Sequence, residues 1–192
     1  AYKEGKTPLL TKDMPSIRSM TAAAQRYIER TEIAGVFGTG NAEVTVTWDD
    51  DGVPCKARPH YLTDDWHISV KTTESVAEPI GFSKRMLVNL GYDFSLAFYK
   101  RGLQQNNINV EHRILVIEQK PPYACCLIGL DAMKEALCDA DVQRAIDIWR
   151  ECLKTQNFSG YSVRTHWAEA TPWQIAESEM REVNNLVEHG VN

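Results

Sequence analysis

Hydrophobic and polar positions alternate with two different periods along the chain. Between residues 42 and 73 the period is two. Val44, Val46 and Trp48 alternate with Thr45 and Thr47, the pattern of a strand with one buried face. Asp49-Asp50-Asp51-Gly52 then reads as a tight reversal, because Asp and Gly tolerate the dihedrals such a turn needs. Pro54 to Leu62 reads as the return strand, Asp64-Asp65 as a second turn, and Trp66 to Lys71 as a third strand. The pattern predicts a three-stranded antiparallel meander that ends on Lys71. Upstream the period changes to that of a helix. Ile17, Met20, Ala24, Tyr27 and Ile28 share one face behind Ser16, a candidate N-cap, and predict a helix to about Thr31. Residues 1–15 are polar and broken by Gly5, Pro8 and Pro15, and are expected to form an arm.

Downstream of Thr73 a helix is predicted from Ser83 through Tyr99, interrupted near Gly91. Glu111 to Gln119 has the continuous apolar centre Ile114-Leu115-Val116-Ile117, expected of a strand inside a sheet. After the breaker Lys120-Pro121-Pro122, Tyr123 to Leu130 reads as another strand. Asp131 is placed to cap a long helix to about Thr155, with Ala132, Leu137, Val142, Ile146, Trp149 and Leu153 facing inward. Thr171 with Pro172 opens a last helix to about His189. This order predicts an α/β domain with a mixed central sheet flanked by helices, a single domain over 16–192 following the arm.

Charge changes this picture little. The net charge of −5 lowers the expectation of an autonomous DNA-binding domain, which is usually basic, without excluding a local basic groove. No apolar run reaches bilayer length and no signal segment opens the chain. The five cysteines are odd in number and show no Cys-x-x-Cys pair. They point to a reducing cytosol, not to a disulfide framework or an iron–sulfur cluster. Gly35 to Gly40 lacks the Lys-Ser/Thr of a phosphate loop. His166, Trp167 and Trp173 are read as packing residues ahead of base-stacking ones. The acidic last helix, with Glu169, Glu177, Glu179, Glu182 and Glu188, is read as a solvated face, with mimicry of phosphate spacing as the alternative.

Arg58-Pro59-His60, followed after a short hairpin by Lys71-Thr72-Thr73, resembles the core of the PD-(D/E)xK nucleases, and among them the RecE type, exonuclease VIII. That family carries Arg-Pro-Asp on one strand and Asp-x-Lys-Thr-Thr on the next. His60 and Ser69 stand at the two acidic positions. The resemblance extends to Glu43, to Tyr92 and Tyr99 with Ser95 in place of a Gln, to Val116-Ile117-Glu118, and to the closing Phe158-Ser159-Gly160-Tyr161 and Pro172-Trp173. It implies a restriction-endonuclease-like sheet and a vestigial site of Lys71 and Glu43 with His60 and Ser69. It also implies nucleic-acid contacts from Arg58, Lys71, Thr72, Thr73, Tyr92, Ser95 and Tyr99. A preceding helical segment with a metal-site His belongs to the family and is expected to be lacking here. The family is typical of phages and prophages, so the expected setting is the cytoplasm of a host bacterium.

Mg²⁺ takes oxygen ligands, chiefly carboxylates and water. His60 offers nitrogen and Ser69 a neutral hydroxyl, so no cofactor is expected and the resemblance implies a domain that binds without cutting. Its partner is then DNA or a protein of a host nuclease or defence complex. Two alternatives stay open. One is an active deoxyribonuclease using Mg²⁺ or Mn²⁺, with a metal site rebuilt from Glu43, His60 and His67 or from Asp64, Asp65 or Glu74. The other is an acidic DNA-mimic inhibitor. His60 and His67 are read first as hydrogen-bonded histidines.

Overall fold

The structure is a computed structural model that describes residues 10–188. The described chain forms two units, one ending at Gln156 and the other starting at Asn157. Most of the expected arm lies outside the described residues. Thr11–Asp13 is a 3-10 turn, and helix α1 spans Met14–Ile28, beginning slightly earlier than Ser16.

The first unit is built on a five-stranded sheet of order β1-β4-β5-β6-β7. Its strands are β1 Asn41–Ala42, β4 Tyr61–Leu62, β5 Trp66–Thr73, β6 Glu111–Glu118 and β7 Cys125–Ile128. β5 and β6 run parallel, with His67 opposite His112, Ser69 opposite Ile114 and Lys71 opposite Val116. The other pairs are antiparallel, so the sheet is mixed. Alternation along the strands loads each face separately. Ile68, Leu115 and Ile117 pack with Ala24, Ile28, Ile33 and Val36 on the α1 side. Ile114, Val116, Cys126 and Ile128 pack with Phe82, Leu87 and Leu96 on the other. Those last residues belong to a helical run made of α2 Pro79–Gly81, one π turn at Phe82–Met86, α3 Leu87–Asn89, and α4 Tyr92–Gln105. Gly91 separates α3 from α4 with φ of 63°, a left-handed conformation that glycine adopts without a Cβ penalty.

The expected meander is corrected. β2 Val46–Asp50 and β3 Val53–Ala57 pair only with each other, as a second, two-stranded sheet. The return strand breaks after Ala57 and resumes as the short β4. Pro59, fully buried, has no N–H to give a ladder, so Arg58-Pro59-His60 leaves the sheet where an unbroken strand was expected. The hairpin turn is tighter than expected. Asp51 and Gly52 both have positive φ, 52° and 84°, as a type I′ turn requires, and the Gly52 N–H donates to Asp49 Oδ1 at 2.7 Å.

The hairpin lies on α4, and the closest approach is at Gly102. A Cβ there would come within 2.4 Å of the Trp48 ring, which is itself buried and donates from Nε1 to Asp50 Oδ2 at 3.1 Å. The ring has nowhere cheap to go. Gly102→Ala is therefore expected to destabilise the fold by about 1–3 kcal/mol through overpacking, although alanine is the better helix former. Urea unfolding of the two proteins measures this, and an unchanged midpoint would count against the close packing.

Helix α5, Ala132–Thr155, begins where expected, with Asp131 Oδ1 accepting the Lys134 N–H at 2.8 Å. Its inward face needs correction. Cys138, Val142 and Ile146 are buried, whereas Leu137, Trp149 and Leu153 are exposed and Ala132 is at the surface. The face turned to α4 and the hairpin is one position away from Leu137, and beyond Ile146 the helix meets the hairpin through Arg150, which donates to the Asp50 and Asp51 carbonyls. In the second unit, residues 157–171 have no regular structure, and α6 spans Pro172–Glu188. Gln174 Oε1 accepts from both the N–H and the hydroxyl of Thr171, closing its first turn. His189, the expected end of this helix, lies outside the described residues. Among the described residues no helix is long and apolar enough to cross a membrane.

Candidate nucleic-acid site

Strand period places His67, Ser69, Lys71 and Thr73 on one face of β5, the face covered by α4. His67 and Ser69 are buried and Lys71 is half-buried. α4 meets this row at both ends. Lys71 Nζ sits 4.9 Å from the centroid of the Tyr92 ring, a cation–π contact. The Tyr99 ring meets that of His67 edge-on at 5.1 Å. Ser95 lies on the same side of the helix between them, its hydroxyl donating to the Gly91 carbonyl at 2.8 Å.

The outer edge of the site is His60. β4 pairs with β5 only through Tyr61 and Leu62, so the Val70 N–H has no strand partner there. It donates instead to His60 Nδ1 at 3.0 Å. An accepting Nδ1 carries no proton, so the neutral ring is the Nε2–H tautomer. Burial, followed by the charge of Lys71, holds this imidazole below its ordinary pKa. Glu43 lies beside it. The sequence placed Glu43 at the start of a strand, but it occupies the loop after β1 with φ of 56°. Its N–H donates to the His60 carbonyl at 2.9 Å, and its carboxylate is drawn to Arg58 Nε at 3.0 Å.

Lys71 is pushed below the usual lysine pKa by burial alone, and among the described residues it has no ion pair. Thr73 Oγ1 accepts the Ser75 N–H at 3.1 Å. Thr72 faces the other way, accepting from Gln119 Nε2 at 3.0 Å. The structure thus brings His60, Lys71 and Tyr92 to the C-terminal half of β5, with Glu43 and Arg58 beside His60, Ser69 and Ser95 midway along the α4 face and Tyr99 at the His67 end, while Thr72 lies on the opposite face of the strand. Asp64 and Asp65 precede the other end of β5, seven and six residues from Lys71 and so roughly 20 Å along the strand. At that distance they do not share a site with Lys71. Glu74 is exposed past the strand end.

The resemblance implies Mg²⁺, and the donors present do not fit it. Glu43 is engaged by Arg58, Glu118 on the same face of β6 accepts the Ala77 N–H at 2.7 Å, and the other groups are a ring nitrogen, a buried hydroxyl and an ammonium. The rebuilt set of Glu43, His60 and His67 does not form either. Among the described residues no three His, Cys, Asp or Glu side chains are grouped to hold a metal ion.

His67 has a different partner, one the sequence reading missed. Its Nδ1 lies 3.0 Å from Nδ1 of His112 on the parallel strand β6. One of the two nitrogens donates and the other accepts. Burial, then the neighbouring His112, lowers His67 to about 3. Burial, then Lys100, lowers His112 to about 4. His67 Nε2 is buried with no hydrogen-bond partner among the described residues. The available signal was two histidines at the same depth in two strands, but it required the parallel register to be known.

Comparison with known proteins places this arrangement. Residues 2–170 match the PDDEXK-like domain of unknown function (DUF3799). A crystal structure from Eubacterium rectale, of a protein described provisionally as an exonuclease, is similar in fold at 15% sequence identity with a TM-score of 0.54. The likeness covers 81% of this chain and 65% of that one, so the chain spans about two thirds of its length. No curated protein matches. With a family match over most of its length and the mixed sheet of that fold, the chain belongs to the PDDEXK-like domains of unknown function.

Proposed function

We propose that this is a catalytically degenerate, RecE-like nuclease domain of phage or prophage type, which binds nucleic acid without Mg²⁺-dependent cleavage. The observation that carries this reading is the surroundings of Lys71. The lysine that would steady a scissile phosphate keeps its place beside Tyr92, while the positions for metal-binding carboxylates hold an imidazole tied to the Val70 backbone and a buried serine. Catalysis of this type depends on the metal to activate water and offset transition-state charge. Binding depends on cations and aromatic faces near the phosphate backbone, and Arg58, Lys71, Tyr92 and Tyr99 supply both.

The test is to incubate the protein with linear duplex DNA and Mg²⁺ or Mn²⁺, and to measure mobility shifts across a salt series. No loss of DNA is expected, with binding that weakens as salt rises. Lys71→Gln is expected to weaken binding by about tenfold and to flatten the salt slope by about one contact. Degradation by the unmodified protein would return it to the active-enzyme class. Absence of any shift, together with co-purification of a host protein, would favour a protein partner.

A further inference from the structure

The polarity of the donor set says more about what the site holds. The Val70 N–H occupies His60 Nδ1 at 3.0 Å, which leaves the proton on Nε2, directed away from Val70. In histidine Nδ1 hangs from Cγ, as Oδ1 does in aspartate. An aspartate at position 60 would therefore make the same bond to Val70 and present an acceptor with its second oxygen. The ring presents a donor instead. Lys71 adds a second donor, half-buried, charged, and without an ion pair among the described residues. Glu43 lies beside His60, and Arg58 draws its carboxylate at 3.0 Å. Glu118, on the same face of β6, is turned to the Ala77 N–H at 2.7 Å, so neither carboxylate pairs with Lys71.

We propose that His60 Nε2–H and Lys71 Nζ together form a seat for a phosphate oxyanion, bound directly and without a bridging metal ion. This rests on the reading that the site takes no Mg²⁺, and it names the ligand group. The acceptor arrangement that binds a cation has become a donor arrangement that binds the anion itself. Burial strengthens both donors toward an anion, since charge-assisted hydrogen bonds gain as water is excluded. The Tyr92 ring over the ammonium restricts where Nζ points. The phosphate can belong to free inorganic phosphate or to the terminus of a nucleic-acid strand.

The experiment is a ¹⁵N-resolved titration of the histidine ring signals, in EDTA. One arm uses inorganic phosphate. Two others use a short oligonucleotide with a 5′-phosphate and the same oligonucleotide with a 5′-hydroxyl. A saturable shift of the His60 Nε2–H signal is expected, with its tautomer unchanged. A response to inorganic phosphate identifies the free anion as sufficient. A response to the 5′-phosphorylated strand alone identifies the terminus as the source. Lys71→Gln and His60→Asp are each expected to lose about tenfold or more in affinity. His60→Asp keeps an acceptor for Val70, so an unmoved Val70 amide signal shows that the strand edge is intact. No shift in any arm, a shift only after Mg²⁺ is added, or equal affinity in both variants would overturn the seat. These outcomes separate the two readings. DNA cleavage by the unmodified protein defeats the binding-only function, whereas intact DNA binding with a silent His60 signal defeats only the seat.

Discussion

Combining His60→Asp with Ser69→Asp is expected to create a Mg²⁺ site, with binding that rises from undetectable at millimolar metal to saturable. The geometry favours the first change. The Oδ1 of the new carboxylate falls where His60 Nδ1 now accepts from Val70 at 3.0 Å, so the strand edge survives and one oxygen remains free. The second change is harder. Ser69 is 2% exposed, and a carboxylate buried there needs a partner. Lys71, two residues on along the same face, supplies one, and a bound cation supplies another. Each single variant gives half of a pair and should gain little, because one carboxylate beside an ammonium is a poor site for a hard dication. A tenfold gain in affinity corresponds to about 1.4 kcal/mol, within the range of calorimetry. Cleavage by the double variant should be weak at best, because the RecE resemblance implies a Gln where Ser95 stands. Calorimetry and digestion of linear duplex DNA should be run on all four proteins. A folded double variant that binds no metal would show that positions 60 and 69 do not face a common site.

The second large effect is acid instability. His67 and His112 sit at about 3 and about 4 in the folded protein against an ordinary 6.5. The unfolded chain therefore binds more protons than the folded one between these values, and stability falls as pH falls. The contribution is fully present above about pH 6.5 and is lost progressively down to the folded values. Two such groups together remove roughly 4 kcal/mol by pH 5, taking about 1.4 kcal/mol per pH unit for each. His60, lowered by burial, acts in the same direction. Urea unfolding from pH 7.5 to 4.5 should show the midpoint dropping steeply below pH 6. His67→Leu with His112→Leu removes the chargeable pair and the unpartnered Nε2, so its curve should be much flatter. If the unmodified protein is equally flat, the two rings are not held neutral by burial.

The sequence carried the sheet well where pattern and position agree. β6 and α5 appear close to where periodicity and the Asp131 cap put them, because a continuous apolar centre and a capped amphipathic run each admit one structure. The meander failed at a single proline. Pro54 to Leu62 alternates well enough for one strand, and only the missing N–H at Pro59, together with the short β4, divides it. The family motif singled out residues of which the structure brings several near one another, but it did not show how they are bonded. That His60 would turn a ring nitrogen to the Val70 backbone depends on where β4 stops. The pairing of His67 with His112 depends on a register between segments more than forty residues apart. Glu43 was expected in a strand, but its positive φ and its bond to the His60 carbonyl come from tertiary contacts that no local pattern encodes.

The parallel seam between β5 and β6 also governs the order in which the molecule can assemble. The β2–β3 hairpin closes over two residues, but joining β5 to β6 requires the whole stretch from Thr73 to Glu111 to loop back, through α2, α3 and α4. Such non-local pairings come at a higher entropic cost and form slowly. Lys71 acquires its neighbours only when that seam is closed and α4 has docked over it. The surroundings of Lys71 and the central sheet therefore share one cooperative unit. A phosphate held at Lys71 would then stabilise the entire sheet, by mass action in proportion to its occupancy.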